Sequence, residues 1–124
     1  MKKGIKYQNL VGSIMKALYQ SADIKINSII KGPDGCRDID VEVRGNLHNG
    51  KKFLFIECKD WNKPVGICVL DIVDSKSRDL NADEVIVFSN SGFTKEALNK
   101  ALRLNIKLCS ALKNNSSDVK IKNI

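Results

Sequence analysis

Apolar and polar positions follow two different periods along the chain, and each change of period marks a predicted element. From Tyr7 to Tyr19 the apolar residues recur at helical spacing, which predicts an amphipathic helix with one buried stripe. Asp23–Lys31 is rich in isoleucine and predicts a strand, because β-branched side chains favour extended backbone. The residues Gly32–Gly35 (GPDG) then predict a turn.

A strand with period two comes next. Asp38–Arg44 alternates polar and apolar residues, so Asp38 and Asp40 are predicted to share one face of the strand, while Ile39 and Val41 share the other. This strand therefore presents a row of acidic side chains on a single face.

The remaining elements follow from shorter signals. Asn49-Gly50 predicts a hairpin turn into Phe53–Lys59, an apolar run typical of a strand buried on both faces. The later elements are a helix over Val69–Leu80, a strand over Glu84–Ser89, a helix over Lys95–Leu104 capped by Thr94, a strand over Ile106–Cys109, and a polar, frayed tail from Asn114.

The predicted order is α-β-β-β-α-β-α-β. Hairpin strands followed by crossover helices predict an α/β fold with a mixed central β-sheet flanked by helices. We expect one domain over residues 1–112 and a polar basic C-terminal tail over residues 113–124. A length of 124 residues agrees with a single domain.

The amino-acid composition indicates the class of binding partner and the cellular compartment. The 21 Lys and Arg residues against 14 Asp and Glu give a net charge of +7, which favours a polyanion such as nucleic acid. We expect a cytoplasmic protein without a membrane helix, because no apolar run is long enough to span a bilayer. The four cysteines form no C-x-x-C pair, which argues against a structural zinc site.

The candidate chemistry lies at the end of the buried strand. Glu57 and Lys59 are two residues apart and share a face, while Asp40 lies on the strand that the hairpin brings alongside. Two neighbouring carboxylates repel each other unless a cation lies between them, and Mg²⁺ prefers such oxygen ligands. The backbone carbonyl of Cys58 is a further candidate ligand.

These parts are suited to hydrolysis of a phosphodiester bond. Bound Mg²⁺ activates a water molecule and stabilises charge on the scissile phosphate, and Lys59 would orient or deprotonate that water or steady the phosphate. The alternative is structural: Glu57 and Lys59 form an ordinary ion pair at a strand end, and Asp40 lies on a solvated face.

The same motif resembles the PD-(D/E)-x-K nuclease superfamily, which has the restriction-endonuclease-like fold, and more narrowly the small Mrr-like restriction endonuclease domains. The resemblance covers roughly residues 5 to 110, in the family's order. The matching segments are Tyr7–Val11 (YQNLV), Arg37–Val41 (RDIDV), Ile56–Trp61 (IECKDW) and Ser91–Thr94 (SGFT) followed by Ala97.

The resemblance implies that Asp40 and Glu57 bind a divalent metal, Mg²⁺ or Mn²⁺ in its place, and that Lys59 is the catalytic lysine. Asp38 is the alternative acidic residue, although the spacing to Glu57 fits Asp40 better. Related proteins often carry an acidic residue on the first helix, where this chain has Gln8. A glutamine can orient a metal-bound water but supplies no charge, which leaves open whether one or two metals bind.

Weaker candidates surround this motif. Lys76 resembles a lysine that recurs on the second helix of such proteins and is a candidate contact for DNA phosphate, as are Trp61, Lys63 and Arg37. Each also has a plain interpretation as a packing or solvated side chain. His48 is expected to be exposed in the hairpin turn.

Two classes of function remain. The first is a metal-dependent endodeoxyribonuclease of a restriction-like, nicking or junction-resolving kind, in a defence, mobile-element or phage system, acting on DNA as a homodimer. Its specificity would come from loops, from dimer geometry or from a partner protein. The second is a catalytically degenerate nuclease fold that binds DNA or a protein partner, which Gln8 favours and an intact Asp40, Glu57 and Lys59 argue against.

Overall fold

Three helices flank one six-stranded sheet in the part of the chain that the computed structural model describes, residues 4–47, 50–113 and 119–124. The elements in chain order are α1 (Ile5–Leu18), β1 (Asp23–Gly32), β2 (Gly35–Leu47), β3 (Gly50–Lys59), α2 (Ile67–Asp79), β4 (Glu84–Ser89), α3 (Lys95–Leu104), β5 (Lys107–Lys113) and β6 (Val119–Asn123).

The sheet is mixed, as predicted. Its strands lie in the order β1-β2-β3-β4-β5-β6. The β1/β2, β2/β3 and β5/β6 pairs are antiparallel, whereas β3/β4 and β4/β5 are parallel and are connected through α2 and α3. The predicted fold class and the order of its first eight elements are therefore confirmed.

The two faces of the sheet carry separate cores. On one face α1 packs on Leu54 and Ile56 of β3, and on the other face α2 and α3 pack on Phe53 and Phe55. This explains the unbroken apolar run Phe53–Ile56 in β3, since neither face of the strand meets solvent there. None of the helices in the described ranges is long and apolar enough to cross a membrane.

Two predictions about chain ends and turns have different outcomes. The frayed tail is wrong for Val119–Asn123, which pairs with β5 as β6, because alternating Val119 and Ile121 supply a strand pattern that the polar composition hides. The hairpin that joins β2 to β3 is confirmed by its register, which ends at Leu47 and Gly50. His48 and Asn49 lie outside the described residues, and the domain boundary at residue 112 stays a prediction.

The predicted alternation of side chains between the two faces of β2 is interrupted between Ile39 and Val41, next to Asp40. Ile39 packs in the α2/α3 core, whereas Val41 packs in the α1 core, so these two residues do not share a face. The register of β1 and β2 places Asn27 across from Asp40, and Asn27 has a left-handed backbone with φ of 59°. Such a conformation interrupts the regular pleat and re-aims the side chains beside it.

Removing a central side chain tests which residues hold this fold together. Phe55→Ala is expected to lower the free energy of unfolding by about 3–5 kcal/mol, because the ring is fully buried and its loss leaves a cavity. Leu102→Ala is the matched control, since Leu102 is 83 % exposed on α3 and its truncation should change stability by less than about 0.5 kcal/mol. Urea denaturation measures both, and equal effects would contradict the described core.

Candidate active site

A cavity of about 320 Å³ opens at the carboxyl end of β3, between α1 and α2. It receives side chains from β2 and from the residues directly after β3 as well as from both helices. Its polar lining residues include Gln8, Asp38, Asp40, Glu57, Lys59, Asp60 and Lys76. The structure therefore brings the predicted acidic pair, the predicted lysine and Gln8 to one place.

Asp40 is a buried carboxylate with a partner on each oxygen. Gln8 Nε2 donates to Asp40 Oδ1 at 2.9 Å, and the backbone N–H of Cys58 donates to Oδ2 at 2.8 Å. One hydrogen bond ties β2 to α1 and the other ties it to β3. These donors hold the carboxylate in a fixed orientation.

Glu57 is also buried, but only one of its oxygens has a partner among the described residues. Lys59 Nζ lies 3.1 Å from Glu57 Oε2, whereas Oε1 is buried without a hydrogen bond. Burial and then the neighbouring charge of Asp40 raise the pKa of Glu57, while the charges of Lys59 and Lys76 oppose that rise. Ionisation of Glu57 at this buried position consequently costs free energy.

The donor set fits a hard divalent cation. Gln8 Oε1 is a second buried oxygen without a hydrogen-bond partner in the described chain, and it borders the same cavity as Glu57 and Asp40. Buried polar atoms normally have partners, so these two oxygens, one from Gln8 and one from Glu57, are suited to bind a ligand in the cavity. Carboxylate and amide oxygens are the atoms that Mg²⁺ and Mn²⁺ accept.

The side chains alone do not complete a metal site. Among the described residues, no three side chains of Asp, Glu, His or Cys form a group that could hold a metal. Two carboxylates together with water and substrate phosphate are nevertheless the usual surroundings of Mg²⁺. The four cysteines are free thiols. Burial raises the pKa of the Cys58 thiol and so disfavours the thiolate, which is the form that binds metals. Cys58 is therefore suited to bind a metal through its backbone carbonyl and not through its sulfur.

Asp38 points to a different neighbour than Asp40. Lys76 Nζ of α2 donates to Asp38 Oδ1 at 2.9 Å and to the Asp38 carbonyl at 3.3 Å. Asp38 and Asp40 both border the cavity, but Asp38 bonds to α2 whereas Asp40 bonds to α1. Asp38 is 58 % exposed and lies at the rim of the cavity, whereas Asp40 is buried inside it.

The three other predicted DNA contacts have different surroundings. The ring of Trp61 borders the cavity and lies 5.5 Å from Lys59 Nζ and 5.6 Å from Lys63 Nζ. Arg37 instead forms an ion pair with Asp79 of α2 at 2.6 Å. A role of these residues in binding DNA stays a prediction.

Asn90 is a neighbour of the site that the sequence reasoning missed. It follows β4 directly, and its side-chain amide bonds to both Asp60 and Trp61. The available signal was topological: β3 and β4 are parallel, so the residues after both strands meet at one edge of the sheet. A polar residue directly after β4 could therefore have been expected beside the residues directly after Lys59.

Comparisons with known proteins identify the family of the chain and support its fold. The sequence model of the Mrr_cat family, described as restriction endonuclease, matches residues 8–113. No curated protein sequence matches the chain.

Two solved structures have a similar fold. The protein of unknown function AF1548 is 24 % identical, with a TM-score of 0.71 over 84 % of this chain and 56 % of that one. The DNA modification-dependent restriction endonuclease AspBHI is 14 % identical, with a TM-score of 0.61 over 86 % of this chain and 28 % of that one. The chain thus spans about half of the first protein and about a quarter of the second.

The raised pKa of Glu57 has a consequence for stability. Because the folded pKa lies above the unfolded one, the energetic cost of ionising Glu57 is absent below about pH 4 and is fully present above the folded pKa. Glu57→Gln is therefore expected to raise the melting temperature at neutral pH in EDTA, with the gain fading as the pH falls. A variant that melts lower than wild type at neutral pH would contradict this electrostatic description.

Proposed function

The chain belongs to the Mrr_cat restriction endonuclease family, and we propose on that premise that it hydrolyses phosphodiester bonds of DNA with a bound divalent cation. The observation that supports this proposal is the buried group at the end of β3. Asp40 and Glu57 border one cavity with Lys59, and two buried oxygens there lack hydrogen-bond partners among the described residues. A DNA-binding module without catalysis gains nothing from such a costly arrangement.

We assign the ligands to the residues that face the cavity. Asp40 and Glu57 would supply carboxylate oxygens, Cys58 its backbone carbonyl, and Gln8 an amide oxygen toward a bound water. Mg²⁺ held there, or Mn²⁺ in its place, would lower the pKa of a water molecule and offset charge on the scissile phosphate.

Asp40 is prepared for this task, since Gln8 Nε2 and the Cys58 N–H already fix its orientation. Lys59 is the residue that would act on the reacting groups. Its ammonium group is paired with Glu57 Oε2, and its side chain is only partly exposed. Lys59 therefore lies at the cavity already and needs no large movement to contact a bound phosphate. In that position it would orient the attacking water or donate a hydrogen bond to the phosphate as negative charge develops there.

DNA would approach over the rim of this cavity. We propose that Lys76, which is paired with Asp38 at the cavity, and Lys63, which lies beside Trp61, contact backbone phosphates of the DNA. The net charge of +7 supports a polyanionic substrate and implies an affinity that falls with salt. We propose a homodimer for cleavage of both strands, as in restriction or junction resolution, and nicking for the monomer.

The competing function is a nuclease fold retained only for binding. The observation that favours it is Gln8, because the amide brings no charge to the metal position. The two functions differ in one property, which is cleavage that requires both a divalent cation and Lys59.

Lys59→Ala is expected to reduce the rate of plasmid nicking in Mg²⁺ by about 100-fold or more, because the group that orients the water or the phosphate is lost. Lys95→Ala is the matched control, since Lys95 is exposed at the start of α3 and its loss should leave the rate unchanged. The assay compares Mg²⁺, Mn²⁺ and EDTA.

Equal nicking by Lys59→Ala and wild type would overturn the assignment of Lys59 and point to a contaminating nuclease. A gel shift in EDTA without cleavage by wild type in either metal would instead support the binding module.

Metal binding can be followed without DNA. Mn²⁺ at about 100 times its dissociation constant should stabilise the folded wild type by about 2.7 kcal/mol, while Asp40→Asn should lose most of this gain. Asp34→Asn, in the exposed turn between β1 and β2, is the control and should keep the gain. Thermal melts at several Mn²⁺ concentrations measure it, and an undiminished gain in Asp40→Asn would exclude Asp40 as a ligand.

A further inference from the structure

The loop that follows β4 holds the segment that follows Lys59. Asn90 Oδ1 accepts the backbone N–H of Trp61 at 2.9 Å, and Asn90 Nδ2 donates to Asp60 Oδ1 at 2.6 Å. The backbone N–H of Asn90 donates to the Lys59 carbonyl at 3.3 Å. One residue of the neighbouring strand end therefore reaches three consecutive residues after the buried part of β3.

The backbone of Trp61 is fixed on both sides. Asn90 accepts its N–H, and the hydroxyl of Ser91 donates to its carbonyl oxygen. These two hydrogen bonds fix the direction in which the side chain leaves the backbone, and the ring then occupies one of a small number of rotamers. The position of the Trp61 ring consequently depends on the loop after β4 as well as on its own packing.

The ring in turn borders the ammonium group of Lys59. Lys59 Nζ lies 3.1 Å from Glu57 Oε2 and 5.5 Å from the centroid of the Trp61 ring, so it is located between a carboxylate and an aromatic face. A cation at this distance from an indole ring is attracted by the ring's electron density. If Glu57 turns its oxygens toward another ligand, the ring is the contact that still restrains Lys59.

We propose that Asn90 is a positioning residue for the nuclease reaction, acting through Trp61 on the ammonium group of Lys59. The proposal rests on the proposed function of this cavity and adds a residue from a different strand to it. Asn90 touches neither substrate nor reacting atoms. Its amide sets the backbone of Asp60 and Trp61, the backbone sets the ring, and the ring limits where Lys59 can lie.

A purely structural role for Asn90 makes a different prediction. It would lower stability when the amide is removed, but it would not change turnover in molecules that remain folded. Turnover and the environment of Trp61 must therefore be measured together with stability.

The test uses Asn90→Ala, Asn90→Asp, and Asn90→Asp combined with Asp60→Asn. Asn90→Asp keeps an acceptor for the Trp61 N–H but places a carboxylate against Asp60. The combined variant restores the side-chain hydrogen bond with its direction reversed. Asn99→Ala is the matched control, because Asn99 is exposed on α3.

Three measurements are made on each variant. Plasmid nicking in Mg²⁺ gives kcat and KM, and thermal melts show whether the variant is folded. Acrylamide quenching of tryptophan fluorescence, without metal or DNA, reports the ring of Trp61 alone, because it is the single tryptophan of the chain.

We expect Asn90→Ala to raise the quenching of Trp61 and to lower kcat on the order of 10- to 100-fold with little change in KM. Asn90→Asp should show a similar loss, and the combined variant should recover kcat to within about threefold of wild type. Asn99→Ala should match wild type in all three measurements.

The possible failures are distinguishable. A folded Asn90→Ala with wild-type kcat, or with unchanged quenching, overturns the positioning role while the nuclease proposal stands. Failure of the combined variant to recover kcat while it remains folded also overturns it. A wild type that does not cleave DNA in Mg²⁺ or Mn²⁺ overturns the proposed function, and with it any kinetic role for Asn90.

Discussion

The repulsion between two buried carboxylates, Asp40 and Glu57, is the constraint on which the rest of this site depends. Burial disfavours the charged form of each group, and the charge of Asp40 adds to the raised pKa of Glu57. The protein offsets part of this cost with hydrogen bonds to Asp40 and with the ammonium group of Lys59. The remaining cost is what a divalent cation between the two carboxylates would remove, and this links the stability of the fold to its proposed activity.

The sheet supplies the geometry that this pair requires. The apolar middle of β3, Phe53–Ile56, is covered on both faces, and the carboxyl end of the strand carries Glu57 and Lys59 to the cavity. The left-handed backbone of Asn27 lies across from Asp40 in the register, where β2 turns its side chains from one core to the other. An interruption of the pleat at this point lets Asp40 meet α1, while Asp38 turns toward Lys76. Local irregularity of this kind is common beside active sites.

Much of this could be predicted from the sequence, because periodic burial and turn residues act locally. The helices, the hairpin and β3 follow from such patterns, and the resemblance to Mrr-like domains rests on short segments around them. The side-chain direction of Ile39 could not be predicted, since it depends on how β2 pairs with β1. The strand β6 was missed because its polar composition hides the short pattern that pairs with the preceding β5. Asn90 was missed because its contacts to Asp60 and Trp61 span about thirty positions and arise only from the parallel β3/β4 pairing.

The most direct test is to locate the cation itself. A crystal of the protein soaked in Mn²⁺ can be examined by anomalous diffraction, which identifies manganese independently of the protein atoms. We expect one peak in the cavity at the end of β3, about 2.1 Å from an oxygen of Asp40 and from an oxygen of Glu57. Manganese bound only elsewhere, or no peak when Mn²⁺ is saturating, would contradict the claim that these buried carboxylates are arranged to share a metal.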